Sequence, residues 1–431
     1  MTRDPGQLGD PGEPGGSPLR IAYVLGTTAG GTGPHVAMLA QGCAARGMAV
    51  RVFGPAATGR RYFGQDGQPG PDEIGADGHP GPDQAGADEQ PGPDQAGADG
   101  QYGPVRFVAV EMADRPRPAR DLAAVLRLRR LLRDWAPDLV HAHGLRAGAF
   151  AALAQARLPV PLVVTVHNAP PATGPGRFVH AALERLTARR AAAVTWVSGD
   201  LAARMRRAGA RDGGRAVVAA PAGAPPEPGQ VAVAREDLGG ADGPAVFAAG
   251  RLAEQKGFAV LIDAAARWQD RDPAPRLAIA GAGPLAGALA AQARAAGVPV
   301  RFLGQRSDVP ALMAAADVVV VPSLWEGQPL VVQEALRAGR PLVASRVGGI
   351  PELTGEDAAV LVPAGDAGAL AAAILAVITD PGVAARLRAA ATERGGALLD
   401  CGDAVDSVVA LYRRVLGTMT RTNGSKTPNR S

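Results

Sequence analysis

The stretch from Asp317 to Gly339 restricts the fold of this chain most strongly. Its first part, DVVVVP at 317–322, is a short run of β-branched residues, typical of a buried strand in a parallel sheet. The loop SLWEGQ follows, and Pro329 has the fixed φ that suits the first position of a helix. Because Gly339 suits the left-handed residue that ends a helix, Pro329 to Ala338 is predicted to be helical. Repeated strand, loop and helix units of this kind predict an α/β fold.

The amino end of this predicted helix is suited to an anion. The backbone amides of Gly327, Gln328 and Leu330 lack acceptors within the helix, and the helix dipole favours negative charge there. Glu326 and Glu334 frame these amides, with seven residues between them. Because carboxylates accept hydrogen bonds from hydroxyl groups, the arrangement suits a sugar or ribose next to a phosphate. Two solvated glutamates without a ligand would show the same spacing.

A second charged element lies upstream of this unit. Ala245–Ala249 is a predicted strand, and Gly250–Trp268 is predicted to form a loop and an amphipathic helix. Arg251 and Lys256 lie in that loop and at the helix start. Only Lys256 and Lys426 are lysines among 45 basic residues, so Lys256 marks a position that suits a compact, mobile charge. A bound diphosphate would offset the cost of a cation near a helix amino end. A chance surface lysine is the alternative interpretation.

With these residues and two further motifs, the chain resembles the retaining glycosyltransferases of family 4. The resemblance extends from about Leu19 to Leu416. It implies the GT-B fold, in which two Rossmann-like, doubly wound α/β domains face each other across a cleft. The matching motifs are the E-x7-E pair, G-R-L-x-x-x-K-G at 250–257, AGAGPL at 280–285 and SRVGGIPEL at 345–353.

The resemblance also implies a reaction and a set of site residues. A sugar would pass from a nucleoside diphosphate to an unidentified acceptor (a glycan, a lipid or a small metabolite), with its anomeric configuration retained and without a metal or other cofactor. Glu334 would bind the ribose, and Glu326 the donor sugar. The implied catalytic residues are His167, Arg251, Lys256 and Glu326. The implied donor-binding residues are Gly31, Arg251, Lys256, Gly327, Gln328, Pro329, Leu330 and Glu334.

The chain departs from the family pattern at three positions. Ala222 stands where an Asn is usual, and Met48 stands where a His is usual. Gln328 replaces an aromatic residue after the E-G pair, and this change is expected to alter contacts with the donor sugar. The donor sugar is therefore not predicted from the sequence.

The order of segments along 431 residues predicts two domains between polar tails. Residues 1–18 and 417–431 are predicted disordered tails, and 403–416 a helix that packs back on the first domain. The first, acceptor-side domain is predicted at 19–225, and the second, nucleotide-sugar-binding domain at 226–402. Its strands are predicted near Val246, Leu277, Val300, Val318, Leu342 and Val360.

An insertion at 64–103 in the first domain repeats an 11-residue unit, GHPGPDQAGAD in its clearest copy. Pro-Gly-Pro in each unit excludes a helix, and the scarcity of apolar residues predicts disorder. A surface loop without a function is the favoured interpretation, and a tether for a basic partner is the alternative.

The first domain begins with a predicted strand at Leu19–Gly26, a glycine-rich turn that contains Gly31, and a helix. A longer helix is predicted at Ala119–Trp135. Its inward residues are predicted to be Leu122, Val125, Leu126 and Leu132, and its outward residues Arg127, Arg130 and Arg133.

Three histidines follow or end predicted strands of the same domain. His141 and His143 end the strand at 137–144, and His167 lies near the end of the strand at 162–170. The carboxyl ends of parallel strands line the ligand crevice, so His143 and His167 are predicted to face it. His141 is predicted to be structural.

Composition narrows the class of protein. Hydrophobic residues make up 47% of the chain and charged residues 20%, and no run reaches the roughly 18 apolar residues of a membrane span. Cys43 and Cys401 have no pairing pattern, and the amino terminus lacks the apolar core of a signal peptide, so a cytoplasmic location is predicted.

Residues 104–225 contain 19 arginines and 8 acidic residues. This excess suits anionic lipid or a phosphorylated acceptor, and predicts peripheral association with the inner face of a membrane. Aromatic residues are 4%, which disfavours nucleic-acid binding.

Two other functions stay open at this stage. A GT-B nucleotide-sugar epimerase would use the same phosphate site, but it would need acid and base residues around the sugar. A noncatalytic scaffold would use the acidic repeat and the arginine-rich face to bind partners. The presence of Arg251, Lys256, Glu326 and Glu334 together favours the transferase.

Overall fold

The computed structural model describes residues 17–28, 31–63, 105–112, 117–167, 176–221, 223–240 and 243–424. The predicted insertion at 64–103, most of the amino-terminal tail, Ala222 and the chain after Gly424 lie outside these ranges.

The first domain is built on a seven-stranded parallel sheet in the order β3-β2-β1-β4-β5-β6-β7. The order reverses between β1 and β4, which is the switch point of a doubly wound sheet. The strands are β1 (Arg20–Leu25), β2 (Ala49–Gly54), β3 (Arg106–Ala109), β4 (Leu139–His143), β5 (Leu162–Val166), β6 (Ala193–Trp196) and β7 (Gly213–Arg215).

The second domain has a six-stranded parallel sheet in the order β10-β9-β8-β11-β12-β13, with its switch point between β8 and β11. Each of the six predicted strands is present. Their bounds are β8 (Ala245–Ala249), β9 (Arg276–Ala280), β10 (Val300–Gly304), β11 (Val318–Val321), β12 (Leu342–Ser345) and β13 (Val360–Val362).

Helices cover both faces of both sheets, so each domain has a buried apolar cluster on either side of its sheet. This arrangement confirms the predicted α/β fold with two Rossmann-like domains. The helices are α1 (Thr32–Ala45), α2 (Ala56–Tyr62), α3 (Pro118–Trp135), α4 (Leu145–Ala154), α5 (Gly176–Arg190), α6 (Gly199–Ala208), α7 (Pro228–Asp237), α8 (Phe258–Ala265), α9 (Ala286–Ala295), α10 (Val309–Ala315), α11 (Leu330–Arg337), α12 (Ile350–Thr354), α13 (Ala367–Thr379), α14 (Pro381–Gly396) and α15 (Cys401–Gly424).

The predicted inward face of α3 was wrong at two positions. Leu122 and Leu126 are 60% and 56% exposed, and the buried stripe runs through Ala124, Leu128, Leu132 and Trp135. Trp135 is the largest side chain of this helix, and it packs edge-on against Phe53 with ring centroids 6.4 Å apart. Burial of the indole sets the rotation of the helix, which turns the two leucines outward. The three outward arginines were predicted correctly.

The last helix, α15, returns the chain to the first domain. It begins at Cys401, before the predicted segment 403–416, and it ends at Gly424, so the prediction of a disordered tail was wrong for residues 417–424, which continue the helix. Val405 packs against Gly42 of α1, where an added Cβ would meet a Val405 methyl group. The Tyr412 hydroxyl contacts the Tyr23 hydroxyl at 2.9 Å and His141 Nδ1 at 2.6 Å. The carboxyl-terminal helix is therefore part of the first-domain core.

Within the described residues, no single helix is both long enough and apolar enough to cross a membrane. Helices α13 and α14 taken together are long and apolar enough, but they are bent by 97° at the break between them.

Candidate active site

The loop after β11 and the start of α11 form the centre of the candidate site. Pro329 caps α11 in an extended conformation (φ −69°, ψ 125°), so the helix begins at Leu330, one residue later than predicted. Gly339 has φ +59°, as expected for the left-handed residue after a helix. The free amides at this helix start belong to the predicted anion site.

Glu326 is buried in this loop and is held by two donors. Its side chain accepts hydrogen bonds from Lys256 Nζ at 2.8 Å and from Ser323 Oγ at 2.7 Å, both at Oε1. Lys256 reaches it from a 3-10 turn at Glu254–Lys256, and Gly257 closes that turn with φ +66°. The structure thus joins the two predicted charged elements in one ion pair.

Arg251 lies in the same loop as Lys256, and its Nε atom is buried. Within the described residues this Nε has no hydrogen-bond partner. A buried guanidinium donor without an acceptor is costly, and an anionic ligand would remove that cost.

The glycines of the SRVGGIPEL motif support the backbone around Glu326. Gly348 has φ +51°, and a Cβ added there would overlap the carbonyl oxygen of Glu326. The Gly349 amide donates to the carbonyl oxygens of Glu326 and Gly327 at 3.2 and 3.0 Å. The motif therefore fixes the backbone that carries the buried carboxylate.

A cluster of imidazoles lies in the first domain, on the other side of the cleft. His143 Nδ1 and His167 Nε2 are 3.0 Å apart, with stacked rings. His35 lies edge-on to both, with centroids 5.9 and 5.8 Å away. Sequence reasoning missed His35. Its position in the first turn of α1, just after the glycine-rich turn, was the available signal.

Burial keeps these imidazoles neutral, because the charged form loses its solvation. It lowers the pKa of His35 to about 4 and the pKa of His143 and His167 well below the usual value. His143 Nε2 and His35 Nδ1 are buried without a hydrogen-bond partner among the described residues. Neutral rings with unused nitrogens suit sugar hydroxyl groups better than phosphates.

His141 is structural, as predicted. Its ring nitrogens contact the Tyr412 hydroxyl at 2.6 Å and the Thr165 hydroxyl at 2.7 Å. Burial lowers its pKa to about 3.

These buried histidines predict a loss of stability in mild acid. Unfolded histidines take up protons near pH 6.5, whereas His35 and His141 stay neutral in the folded protein down to about pH 4 and 3. As the pH falls through this window, the unfolded state binds more protons than the folded state. Each group therefore lowers the free energy of unfolding by about 1.4 kcal/mol per pH unit. The melting temperature should fall between pH 7 and 5, and less steeply in the His35→Leu variant. Equal slopes in the two proteins would contradict this account.

Residues from both domains meet at the amino end of α11. An added Cβ at Gly31 would lie 3.6 Å from Leu330 Cδ1, and one at Gly327 would lie 3.4 Å from the carbonyl oxygen of His167. The structure thus brings first-domain residues against the predicted anion site. Glu334 lies one turn further along α11 and is half-buried.

Gln328 makes contacts that the sequence did not predict. Its Nε2 donates to the Ala216 carbonyl oxygen at 2.5 Å, and its Oε1 accepts from the Val218 amide at 3.2 Å. Gln333 binds the same linker, between the carbonyl of Val218 at 2.7 Å and the amide of Ala220 at 3.0 Å. Both side chains tie α11 to the segment that joins the domains.

The single Asp-x-Asp sequence of the chain, Asp270–Asp272, precedes β9. Glu326 follows β11, so the two acidic elements lie at opposite ends of a parallel sheet. That the reaction needs no metal stays a prediction.

Comparison with known families matches both domains. Residues 30–221 match the glycosyl transferase 4-like domain, and residues 243–380 match the glycosyl transferases group 1 family. The two matches meet near the boundary between the sheets.

Two bacterial proteins are similar to this chain over most of its length. The 2-deoxystreptamine glucosyltransferase of Streptomyces kanamyceticus is 31% identical over 323 residues, which are 68% of this chain and 82% of that protein. Glycogen synthase of Mycobacterium tuberculosis is 31% identical over 293 residues, which are 63% of this chain and 68% of that protein.

Solved structures show the same fold. HepE of Anabaena, in complex with UDP, superposes with a TM-score of 0.69 at 20% identity, covering 92% of this chain and 100% of that one. Sucrose-phosphate synthase of Thermosynechococcus elongatus gives a TM-score of 0.69 at 21% identity, covering 93% of this chain and 100% of that one. The chain is therefore an enzyme with the GT-B fold, and it belongs to the group 1 and 4-like glycosyltransferases that its sequence resembles.

Proposed function

We propose that this glycosyltransferase moves a hexose from a nucleoside diphosphate to an acceptor with retention of anomeric configuration. The observation that carries the proposal is the ion pair between Lys256 and the buried Glu326, together with Arg251 in the same loop as Lys256, whose Nε has no partner among the described residues. These two cations and the amides that begin α11 are the groups that would bind a diphosphate.

Breakage of the sugar-phosphate bond builds negative charge on the leaving diphosphate. Lys256, Arg251 and the amides that begin α11 would stabilise this charge, and one donor of this kind contributes about 10²- to 10³-fold in rate. Lys256 has three N–H donors, and the pair with Glu326 uses one of them. The remaining donors are available to phosphate oxygens.

Glu326 would bind a hydroxyl of the donor sugar. Ser323 and Lys256 both hold the same oxygen of its carboxylate, so the group is oriented before the donor arrives. The partnerless nitrogens of His35 and His143 would receive hydroxyls from the first-domain side. His167 would place the sugar through its contact with His143.

Retention is supported by the family motifs and by the neutral state of the imidazoles. In a same-face mechanism the leaving phosphate takes the proton of the acceptor hydroxyl, so no enzyme base with a pKa near 7 is required. UDP-glucose is the first donor to test, since relatives include a glucosyltransferase and a structure that contains UDP. The acceptor is unassigned, and peripheral association with an anionic membrane stays a prediction.

The test starts with nucleotide binding. UDP, GDP and ADP are titrated by calorimetry into the wild type, Arg251→Ala and Arg267→Ala, the last being an exposed arginine in the 3-10 turn that follows α8. We expect one nucleotide to bind, at least tenfold more weakly to Arg251→Ala and unchanged to Arg267→Ala. No binding by any nucleotide would contradict the donor site and favour the scaffold.

The stereochemical course is tested without the acceptor. Slow hydrolysis of UDP-glucose, an α-linked donor, is followed by NMR, and α-glucose is expected as the first product. β-Glucose would contradict retention. Conversion to an epimeric UDP-sugar without free glucose would favour the epimerase.

A further inference from the structure

We propose that the protein has a second ligand site, for a small phosphorylated sugar, beneath α15 and next to the imidazole cluster of the donor cleft, with which it shares His35. A cavity of about 280 Å³ lies there in the first domain. Its walls come from α15, from α1 at His35 and Leu39, from strands β4, β5 and β6, and from the end of β7 with the segment that follows it. The size is close to the lower end of the range for small-molecule sites.

The charge of the cavity favours an anion. Its lining includes Arg215 and Arg414 and contains no carboxylate side chain. Arg215 Nη1 lies 3.1 Å from Glu352, and Arg414 Nη2 lies 3.6 Å from Asp212. Each guanidinium has five N–H donors, so each retains donors for a phosphate group.

The inner wall suits sugar hydroxyls. Thr165 and Thr195 hydroxyls are 2.6 Å apart, and His141 Nε2 contacts Thr165 at 2.7 Å. This series of hydrogen bonds ends at Thr195, whose hydroxyl can form a further hydrogen bond to a ligand. Ser407 of α15 adds another hydroxyl to the lining. A ligand with a phosphate at one end and hydroxyls at the other matches this division.

The site lies between the two segments of chain that cross between the domains. One is the segment from Gly214 to Val217, which leads to the second domain, and the other is α15, which returns from it. A phosphate on the remaining donors of Arg215 would place negative charge next to Glu352, a second-domain residue, and the repulsion would oppose that ion pair. Occupancy would therefore weaken one tie between the domains and change donor affinity. This effect on the donor rests on the proposed function, whereas ligand binding does not.

Adjacent glycines provide the means to fill the cavity. At Gly213 an added Cβ would overlap the carbonyl oxygen of Val194, so that position must stay glycine. At Gly214 an added Cβ meets nothing within 4 Å, and φ is not in the left-handed range. Gly214→Leu should therefore fold and block the site.

The test is calorimetric titration of mannose 6-phosphate, with and without saturating UDP. We expect binding in both conditions to the wild type and to Arg413→Gln, an exposed neighbour of Arg414 outside the lining. Arg414→Gln should bind at least tenfold more weakly, and Gly214→Leu should not bind. Mannose alone and inorganic phosphate alone should each bind at least tenfold more weakly than the joined molecule.

Failure of mannose 6-phosphate to bind the wild type would overturn the proposal, as would equal binding by Arg414→Gln and Arg413→Gln. Binding that UDP abolishes would assign the phosphate to the donor cleft and would also overturn it. If Gly214→Leu has a lowered melting temperature, the comparison of Arg414→Gln with Arg413→Gln decides whether the site exists. UDP affinity is measured on the same samples, so loss of one site is distinguished from loss of the other.

Discussion

Replacement of Lys256 by methionine is expected to slow sugar transfer about 10²- to 10³-fold, because a developing charge on the diphosphate loses its mobile cation. The same change leaves the buried Glu326 without its cation. Because Lys256 is partly exposed, the loss of stability should lie below the roughly 3 to 5 kcal/mol of a fully buried pair. The measurements are turnover of UDP-glucose by the hydrolysis assay and the melting temperature.

The two effects separate in the double variant Lys256→Met/Glu326→Gln. A neutral amide in place of the carboxylate removes the unpaired charge, so the melting temperature should return towards the wild-type value while turnover stays low. Lys256→Arg is a further control, since it keeps the charge and loses the compact shape. A Lys256→Met enzyme that retains full turnover would show that the ion pair is structural only.

The Gly348→Ala variant is expected to lose most of its turnover, because an added Cβ would overlap the carbonyl oxygen of Glu326. The backbone around the carboxylate must move, which displaces both the Glu326 side chain and the amides that begin α11. A left-handed φ of +51° adds a conformational cost of about 1 to 2 kcal/mol.

Gly365→Ala is the matched control for this variant. Gly365 has φ +79°, and an added Cβ there meets nothing within 4 Å. It therefore reports the cost of the backbone conformation alone. Equal losses of turnover and stability in the two variants would show that the overlap with Glu326 has no effect.

The sequence predicted the strands of the second domain, the switch from strand to helix at 317–338 and the joining of Lys256 with Glu326 in one site. In the first domain it predicted β1, β4 and β5 but not β6 and β7. These features depend on local patterns: β-branched runs, a proline and glycine at helix ends, and rare residue types in short motifs. Local patterns also assigned His141 to the core.

The sequence could not predict features set by packing between distant segments. The rotation of α3 depends on contact of Trp135 with Phe53, which lies 82 positions earlier. His35 joins His143 and His167 only because α1 packs beside the ends of β4 and β5. Gln328 was expected near the donor sugar, and its contact with Ala216 depends on how close the linker passes to α11.

Ala216 is hydrogen-bonded to both domains. Its amide donates to the carbonyl oxygen of Trp196 in the first sheet, and its carbonyl accepts from Gln328 in the second domain. Val218 and Ala220 are bound to Gln328 and Gln333 as well, so the linker changes from first-domain to second-domain partners at Ala216. We expect nucleotide binding at the amino end of α11 to act on the linker directly, because the residues that begin this helix also hold the linker.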